Sequence, residues 1–367
     1  MPLRLGLVGA GFIAGVYAHA ARRVPAVEIT AVASPRSARA FADRWGIPAA
    51  FDDWRQLIGE APVDAVVIAA PNDLHLPVAL AAAAAGKHVL CEKPLAPGLP
   101  AAAEMVEACD RAGVLLLCAE NLLFAPMYER VRALVRRGEI GQPYLLRQQQ
   151  GHAGPYADWF WDISRAGGGA LIDIGCHGIA LACRQLDAWP EAVAAVLGRF
   201  RHAARTPADD HATVHLRFPG GALATVEASW ALPGGADLLE IVGARGRLAA
   251  NLERAPAIDL YRDPESAEPG RLPGWQHVMY EEAWQFGFPQ ELEHFAEAAA
   301  GRVEPRFPGR DALRVLEIIC AAYESARRGG GWVSLPFPQH RPARHRPLVR
   351  GRTARRPLTA RRRSRTL

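Results

Sequence analysis

Residues Leu3 to Ala14 read LRLGLVGAGFIA. Leu5, Leu7 and Val8 form an apolar run without polar interruption, as a strand covered on both faces of a parallel sheet requires, and the run stops at Gly9. Gly9 permits a tight turn, and Gly11, lacking a Cβ, lets a pyrophosphate approach the backbone. Ala14 is small enough for the following helix to pack close to the strand. That helix, Val16 to Val24, would start with free N–H groups and a positive dipole end aimed at the phosphates. A GxGxxA string alone also suits a tight turn in some other α/β protein. Its place after a buried strand and before a helix selects a dinucleotide site, with Phe12 and Ile13 as neighbouring contacts.

Composition sets the bounds around this stretch. At 367 residues and 50% apolar, the chain can bury a large core and is expected to form two domains. The opening residues run straight into a strand without a basic leader, and no apolar run approaches the roughly 20 residues needed to span a bilayer. Six cysteines, Cys91, Cys109, Cys118, Cys176, Cys183 and Cys320, show no CxxC pairing. Reduced thiols in a cytoplasm are therefore expected rather than disulfides or zinc, and the chain reads as a cytoplasmic enzyme.

The formal charge of +5 belongs to one end. Residues 340 to 367 hold eleven arginines and no acid, and removing those arginines turns +5 into −6 for the remainder. This Arg- and Pro-rich tail, 339–367, has too few apolar residues to fold, and contact with nucleic acid is not expected despite its charge. Lysine occurs only at Lys87 and Lys93.

The N-terminal half alternates strand and helix. After the strand Val27 to Ala33 comes Ser34, twenty residues beyond Ala14, where an NAD-selective fold commonly places an acid on the ribose. No acid is present, and Ser34 with Arg36 offers a hydroxyl and a guanidinium for a 2′-phosphate, which leans the cofactor from NAD toward NADP. The third strand, Asp64 to Ala70, ends in Pro71, Asn72, Asp73, Leu74 and His75. Pro71, Asn72 and His75 are expected beside the cofactor, because such sheets bind ligands at the carboxyl ends of their strands. The fourth strand, His88 to Cys91, ends in Glu92, Lys93 and Pro94. A lysine there, its pKa lowered by partial burial, can hydrogen-bond a substrate hydroxyl, and Glu92 beside it belongs to the cofactor surface.

Four motifs in order, GAGFIA (9–14), AAPNDLH (69–75), CEKPLA (91–96) and GGGALIDIGCHGIALACRQL (167–186), resemble the Gfo/Idh/MocA family of oxidoreductases over residues 3 to 336. The resemblance implies an α/β protein with an N-terminal Rossmann domain, a doubly wound parallel sheet, over 1–122. A second α/β domain with a large, mostly antiparallel, open-faced sheet would occupy 123–338. It also implies NAD(P)-dependent redox chemistry on sugars, inositols and related polyols, in dimers or tetramers packed through that sheet.

The second half reads the same way. Tyr144 to Gln150, Ala192 to Phe200, Ala212 to Phe218, Ala222 to Trp230, Asp237 to Val242 and Arg247 to Asn251 are strand candidates, and Pro219, Gly220, Gly221 is a hairpin turn. Helices are expected at Asp173 to Leu186, Glu282 to Ala300 and Arg310 to Arg328. An open antiparallel sheet needs a cover, and a second copy of the chain is the simplest one.

A helix starting near Asp173 puts Asp173 and His177, four apart, on one face. A carboxylate beside an imidazole suits removal of a hydroxyl proton as hydride leaves carbon. The resemblance implies the same roles: His177 as acid/base, Asp173 as its partner and a substrate ligand, and Lys93 sharing the proton. No metal is needed, since these residues and scattered cysteines form no ligand set of defined geometry. The substrate surface is expected at His152 to Asp162, HAGPYADWFWD, where Trp159, Trp161 and Tyr156 offer faces to a sugar ring while His152, Asp158, Asp162 and Asn121 bind hydroxyls. A second aromatic group, Trp275, Tyr280, Trp284, Phe286 and Phe288, would line the pocket or a subunit interface. The alternative function is a glycosidase with tightly bound NAD that oxidises a sugar carbon transiently, eliminates the aglycone and restores the hydride. Intact Lys93 and His177 argue against a non-catalytic regulator.

Overall fold

β1, Leu3–Val8, is the strand that the opening run predicts, and its last four residues are buried. In the computed structural model, which describes residues 1–252, 258–262, 274–278 and 285–338, β1 lies inside a six-stranded sheet. β2 (Val27–Ala33), β3 (Ala49–Phe51), β4 (Ala65–Ile68), β5 (His88–Glu92) and β6 (Leu116–Ala119) complete it in the order β3-β2-β1-β4-β5-β6, every pair parallel. The chain order reverses between β1 and β4, so the crevice beyond their carboxyl ends is the ligand position of an open parallel sheet. Helices α1 (Phe12–Ala21), α2 (Ala38–Trp45), α3 (Trp54–Glu60), α4 (His75–Ala84) and α5 (Leu99–Ala112) connect the strands. β3 and α3 are too short to show a period in the sequence.

α1 begins at Phe12, four residues earlier than the sequence predicts, directly after Gly11. Gly11 is its N-cap and no side chain caps it, so the first N–H groups remain for a ligand. Gly9 has φ +116°, and a Cβ there would lie 2.1 Å from the Ala69 carbonyl oxygen at the end of β4. Gly11 is different, because a Cβ on it would meet nothing within 4 Å. The first glycine is required by the protein's own backbone, and the second leaves open space.

The rest of the chain builds a nine-stranded sheet. After α6 (Pro126–Arg136) come β7 (Pro143–Gly151), α7 (Ile163–Ala166), α8 (Ala170–Asp173), α9 (Gly175–Leu186), β8 (Ala192–Gly198), β9 (His211–Arg217), β10 (Leu223–Ser229), β11 (Ala236–Gly243) and β12 (Gly246–Asn251). β13 (Ile258–Arg262), β14 (Gly274–Val278), α10 (Phe288–Ala299), α11 (Gly309–Arg327) and β15 (Val333–Ser334) follow. The order is β14-β13-β12-β11-β7-β10-β9-β8-β15, and only β7 with β10 is parallel. The turn at Pro219–Gly221 joins β9 to β10 as an antiparallel hairpin. α9 and α11 lie against the sheet, while the opposite face is open and polar, with Gln149 donating to Glu227 and with Arg147 and Arg247 beside Glu240.

Two expectations change here. The helix over Asp173 to Leu186 is two helices, α8 and α9, broken at Ile174. α10 packs away from the nine-stranded sheet: Leu292, Phe295 and Ala296 are buried with Leu5, Leu7 and Tyr17 in the core of the first sheet. Their spacing marks an apolar helix face but does not say which sheet it covers. The tail 339–367, Tyr280, Trp284 and the side chain of Trp275 lie outside the described residues.

Candidate active site

Four carboxyl ends and turns converge at the crevice. Lys93 follows β5, Glu120 follows β6, Asp173 closes α8, and His177 lies in the first turn of α9. Lys93 Nζ donates to the Asp173 backbone oxygen at 2.8 Å and to its Oδ1 at 3.0 Å. The other carboxylate oxygen, Oδ2, accepts from Trp230 Nε1 at 2.8 Å. His177 does not pair with Asp173, because its Nδ1 meets Glu120 Oε1 instead. The break at Ile174 turns His177 away from Asp173, and Glu120, 1% exposed, takes the place beside the imidazole that the four-residue spacing predicts for Asp173.

Charge follows from this pairing. Burial alone would lower the Lys93 ammonium pKa, but the Asp173 carboxylate beside it raises it instead. Burial pushes Asp173 up, while Lys93 and the Trp230 hydrogen bond overcome this and hold it below its ordinary value. The lowered lysine pKa expected from burial is therefore reversed: Lys93 remains an ammonium, a donor and not a base.

Behind Lys93 lies a buried acid pair. Tyr17 Oη is 2.9 Å from Glu92 Oε1 and 3.1 Å from Glu291 Oε2, and Glu92 Oε2 accepts from the Lys93 backbone N–H at 3.1 Å. A phenol has one proton to give, so the second contact requires a protonated carboxyl. Glu291 is that group: burial first, then the Glu92 charge, push it well above its ordinary value. Burial also raises Glu92, to about 7, against partial relief from Lys93 and Tyr17.

This pair has a stability consequence. A carboxyl whose folded pKa is about 7 and whose unfolded value is 4.5 contributes fully below pH 4.5 and loses that contribution as pH rises to 7. The loss is about 3 kcal/mol at about 1.36 kcal/mol per pH unit. Glu92→Gln, which cannot ionise, should flatten the decline in urea-unfolding stability between pH 5 and pH 8. An unchanged slope would remove Glu92 from the titration.

The remaining cofactor candidates separate. Phe12 is 72% exposed on the open turn, whereas Ile13 packs against the first core. Ser34 is half-buried, with its Oγ 2.7 Å from Ser37 Oγ, and Arg36 is exposed with φ +70°, a left-handed conformation uncommon outside glycine. Pro71 caps the turn that carries Asn72, whose amide donates to the Ala166 carbonyl at 2.8 Å and ties the loop after β4 to α7. His75 is not an open cofactor contact. It is fully buried, with Nε2 3.0 Å from the Ala70 carbonyl and Nδ1 3.1 Å from that of Pro94, and so joins the loops after β4 and β5.

On the substrate side, His152 lies within the charge field of Asp173, Lys93 and His177, and burial lowers its pKa. Tyr156, 78% exposed, spans the crevice to Phe12 with ring centroids 5.6 Å apart. Trp159 stacks on Phe160 at 3.8 Å, and Trp161 meets Trp230 edge-on at 5.6 Å. Asp162 caps α7 by accepting from Ser164, and the Asn121 amide donates to the Phe286 carbonyl, so both take structural partners where substrate contacts were expected. Sequence reasoning missed Glu120 and Trp230 as site residues. Glu120 shares the signal that marked Lys93, a charged residue closing a buried strand, while Trp230 carries none.

Residues 3–120 match the family model described as "Oxidoreductase family, NAD-binding Rossmann fold", and residues 128–249 match "GFO/IDH/MocA C-terminal domain". The chain belongs to the GFO/IDH/MocA family. D-xylose 1-dehydrogenase (NADP(+)) 2 of Haloferax volcanii is 32% identical over 315 residues, 83% of this chain and 93% of that protein. Myo-inositol 2-dehydrogenase of Thermotoga maritima is 28% identical, covering 88% of this chain and 96% of that one. The solved structure of levoglucosan dehydrogenase in complex with NADH and levoglucosan superposes with a TM-score of 0.81 at 28% identity, over 92% of this chain and 100% of that chain. This member of the GFO/IDH/MocA family is an NAD-binding oxidoreductase, as relatives named dehydrogenases and reductases bear out. Glu291, which meets Tyr17 behind Lys93, lies beyond the two matched segments.

Proposed function

We propose that this chain is a dehydrogenase moving a hydride between NAD(P) and a secondary hydroxyl of a sugar, an inositol or a related polyol. One observation carries the reading: Lys93, Asp173, and the His177–Glu120 pair meet at the carboxyl ends of β5 and β6, beside the switch between β1 and β4. A dinucleotide fits this chain, since Gly11 faces open space and α1 presents uncapped N–H groups there. A nicotinamide held there would supply the hydride acceptor for oxidation, or the donor for the reverse reaction.

The side chains divide the proton work. With Nδ1 held by Glu120, His177 has Nε2 left to take the substrate hydroxyl proton, and the carboxylate stabilises the imidazolium that forms. Lys93 has three N–H donors, of which two go to Asp173. The third is available to the substrate oxygen, and its fixed positive charge favours the alkoxide character that develops there. His152, Trp159 and the exposed Tyr156 line the approach to this point.

Ser34 and Arg36 support NADP over NAD. The Arg36 guanidinium, exposed on the turn after β2, can meet a 2′-phosphate through a charge-assisted hydrogen bond. Arg36→Ala should raise the KM for NADP about tenfold, about 1.4 kcal/mol of charge-assisted binding, while leaving that for NAD within twofold. Equal effects on both cofactors would count against the assignment. The open polar face of the second sheet supports a homo-oligomer packed through it, which light scattering would record as a dimer or tetramer.

The deciding experiment follows reduced-cofactor absorbance with inositols, aldoses and aryl glycosides. Substrate-dependent accumulation of NADH or NADPH supports the dehydrogenase. Aglycone release without accumulation, lost in His177→Asn, would replace it with the redox-assisted glycosidase.

A further inference from the structure

Asp173 has two carboxylate oxygens, and only one faces Lys93. Oδ2 is held by the indole N–H of Trp230, a residue with no exposed surface. The Trp230 backbone is fixed from both sides, its N–H donating to the Asp210 carbonyl at 2.8 Å and its own carbonyl 3.1 Å from His202 Nε2. Its ring is boxed edge-on by Phe160 at 6.3 Å and Trp161 at 5.6 Å, both from the loop expected to face substrate. Arg205 then stacks 4.0 Å above Trp161. A continuous packed path therefore runs from the substrate loop through the Trp230 ring to the carboxylate that holds Lys93.

We propose that Trp230 is a positioning residue for the reaction, orienting the Asp173 carboxylate toward Lys93 and coupling that ion pair to the aromatic turn at 158–161. The inference rests on the dehydrogenase reading and adds to it how the substrate loop reaches the reacting groups. An indole N–H on Oδ2 fixes the rotation of the carboxylate, so Oδ1 points at Lys93 Nζ and the third lysine donor points at the crevice. Without that donor, Oδ2 becomes a buried acceptor with no partner, a costly arrangement that the side chain relieves by rotating. The titratable groups facing Asp173 are Lys93 after β5, His152 after β7 and Cys176 in α9, so a change in its hydrogen bonding is read against these three.

Trp230→Phe keeps the packed ring and removes only the N–H. In the full-length protein, its kcat/KM should fall about 10- to 100-fold, with the loss mainly in kcat, and the acid limb of the pH profile should move upward as Asp173 becomes easier to protonate. In an Asp173→Asn background the same substitution should cost less than threefold, because its route of action is already gone. A second readout needs no turnover: the Trp230 indole N–H resonance in 15N-tryptophan-labelled protein, identified by its absence in W230F, should shift when Asp173 becomes Asn. Losses of equal size in both backgrounds, an unmoved pH profile, or an indole resonance indifferent to Asp173→Asn would each overturn the proposal. If W230F does not fold, Asp173→Asn leaves Trp230 in place, its resonance is assigned by elimination with single Phe substitutions at the other tryptophans, and its response to Asp173→Asn still decides. If the wild-type protein turns over no sugar or polyol, the functional reading fails by itself, and the indole shift reports on the contact independently.

Discussion

Replacing His177 by asparagine is expected to lower kcat by about 10²–10⁴-fold, the range general acid–base catalysis supplies, while the KM for the polyol changes little. Asparagine is the better probe than alanine because its amide can still donate to Glu120. Glu120 is buried, and removing its partner altogether would leave a charge without compensation and confuse chemistry with folding. Glu120→Gln is expected to cost less, about 10- to 100-fold in kcat, since the amide oxygen can still accept from Nδ1 but no longer balances an imidazolium. The double variant should be no worse than His177→Asn alone, because Glu120 acts through the imidazole. Steady-state kinetics at saturating cofactor would check all three. Additive losses would mean that Glu120 touches the reaction by another route, and a fully active His177→Asn enzyme would remove His177 from the proton path.

The pairing behind this prediction marks where sequence reading stops. The first sheet is legible because each of its features is local: an unbroken apolar run predicts a strand buried on both faces, and two glycines at fixed offsets predict the turn. Lys93 was legible for a related reason, as one of two lysines in the chain placed at a strand's carboxyl end. The partner of His177 was not. A spacing of four residues brings two side chains together only along a continuous helix, and the chain breaks at Ile174, so Asp173 turns to Lys93 and Trp230 while His177 turns to Glu120. Glu120 and His177 are 57 residues apart, and no periodicity carries information over that distance. The same limit hid α10, whose apolar face could be seen but whose return to the first sheet could not. His75 shows the converse. Its position after a strand suggested a ligand contact, and the fold uses it to join two loops through three carbonyl contacts.

Lys93→Met is expected to be the other large perturbation, and it separates charge pairing from catalysis. The Lys93 and Asp173 side chains are 19% and 9% exposed, so their ion pair is desolvated enough that removing one member leaves a buried carboxylate oxygen without its donor. Breaking such a pair from one side costs about 3–5 kcal/mol, whereas replacing both charges by neutral groups is often close to neutral. Lys93→Met should therefore lower unfolding stability in urea by an amount in that range and abolish measurable turnover. Lys93→Met with Asp173→Asn should recover most of the stability and none of the activity. Lys93→Arg is expected to fail as a rescue, because a planar guanidinium cannot place one donor on the Asp173 carbonyl, one on Oδ1 and a third toward the crevice as a rotating ammonium does. A double variant that stays as unstable as Lys93→Met would show that the lysine stem, through its packing, holds the site together. A Lys93→Arg enzyme with wild-type kcat would show that positive charge alone suffices there. The stability recovery and the absent activity belong together: the pair fixes the Lys93 ammonium in place, and the one donor it leaves free is what the substrate oxygen meets.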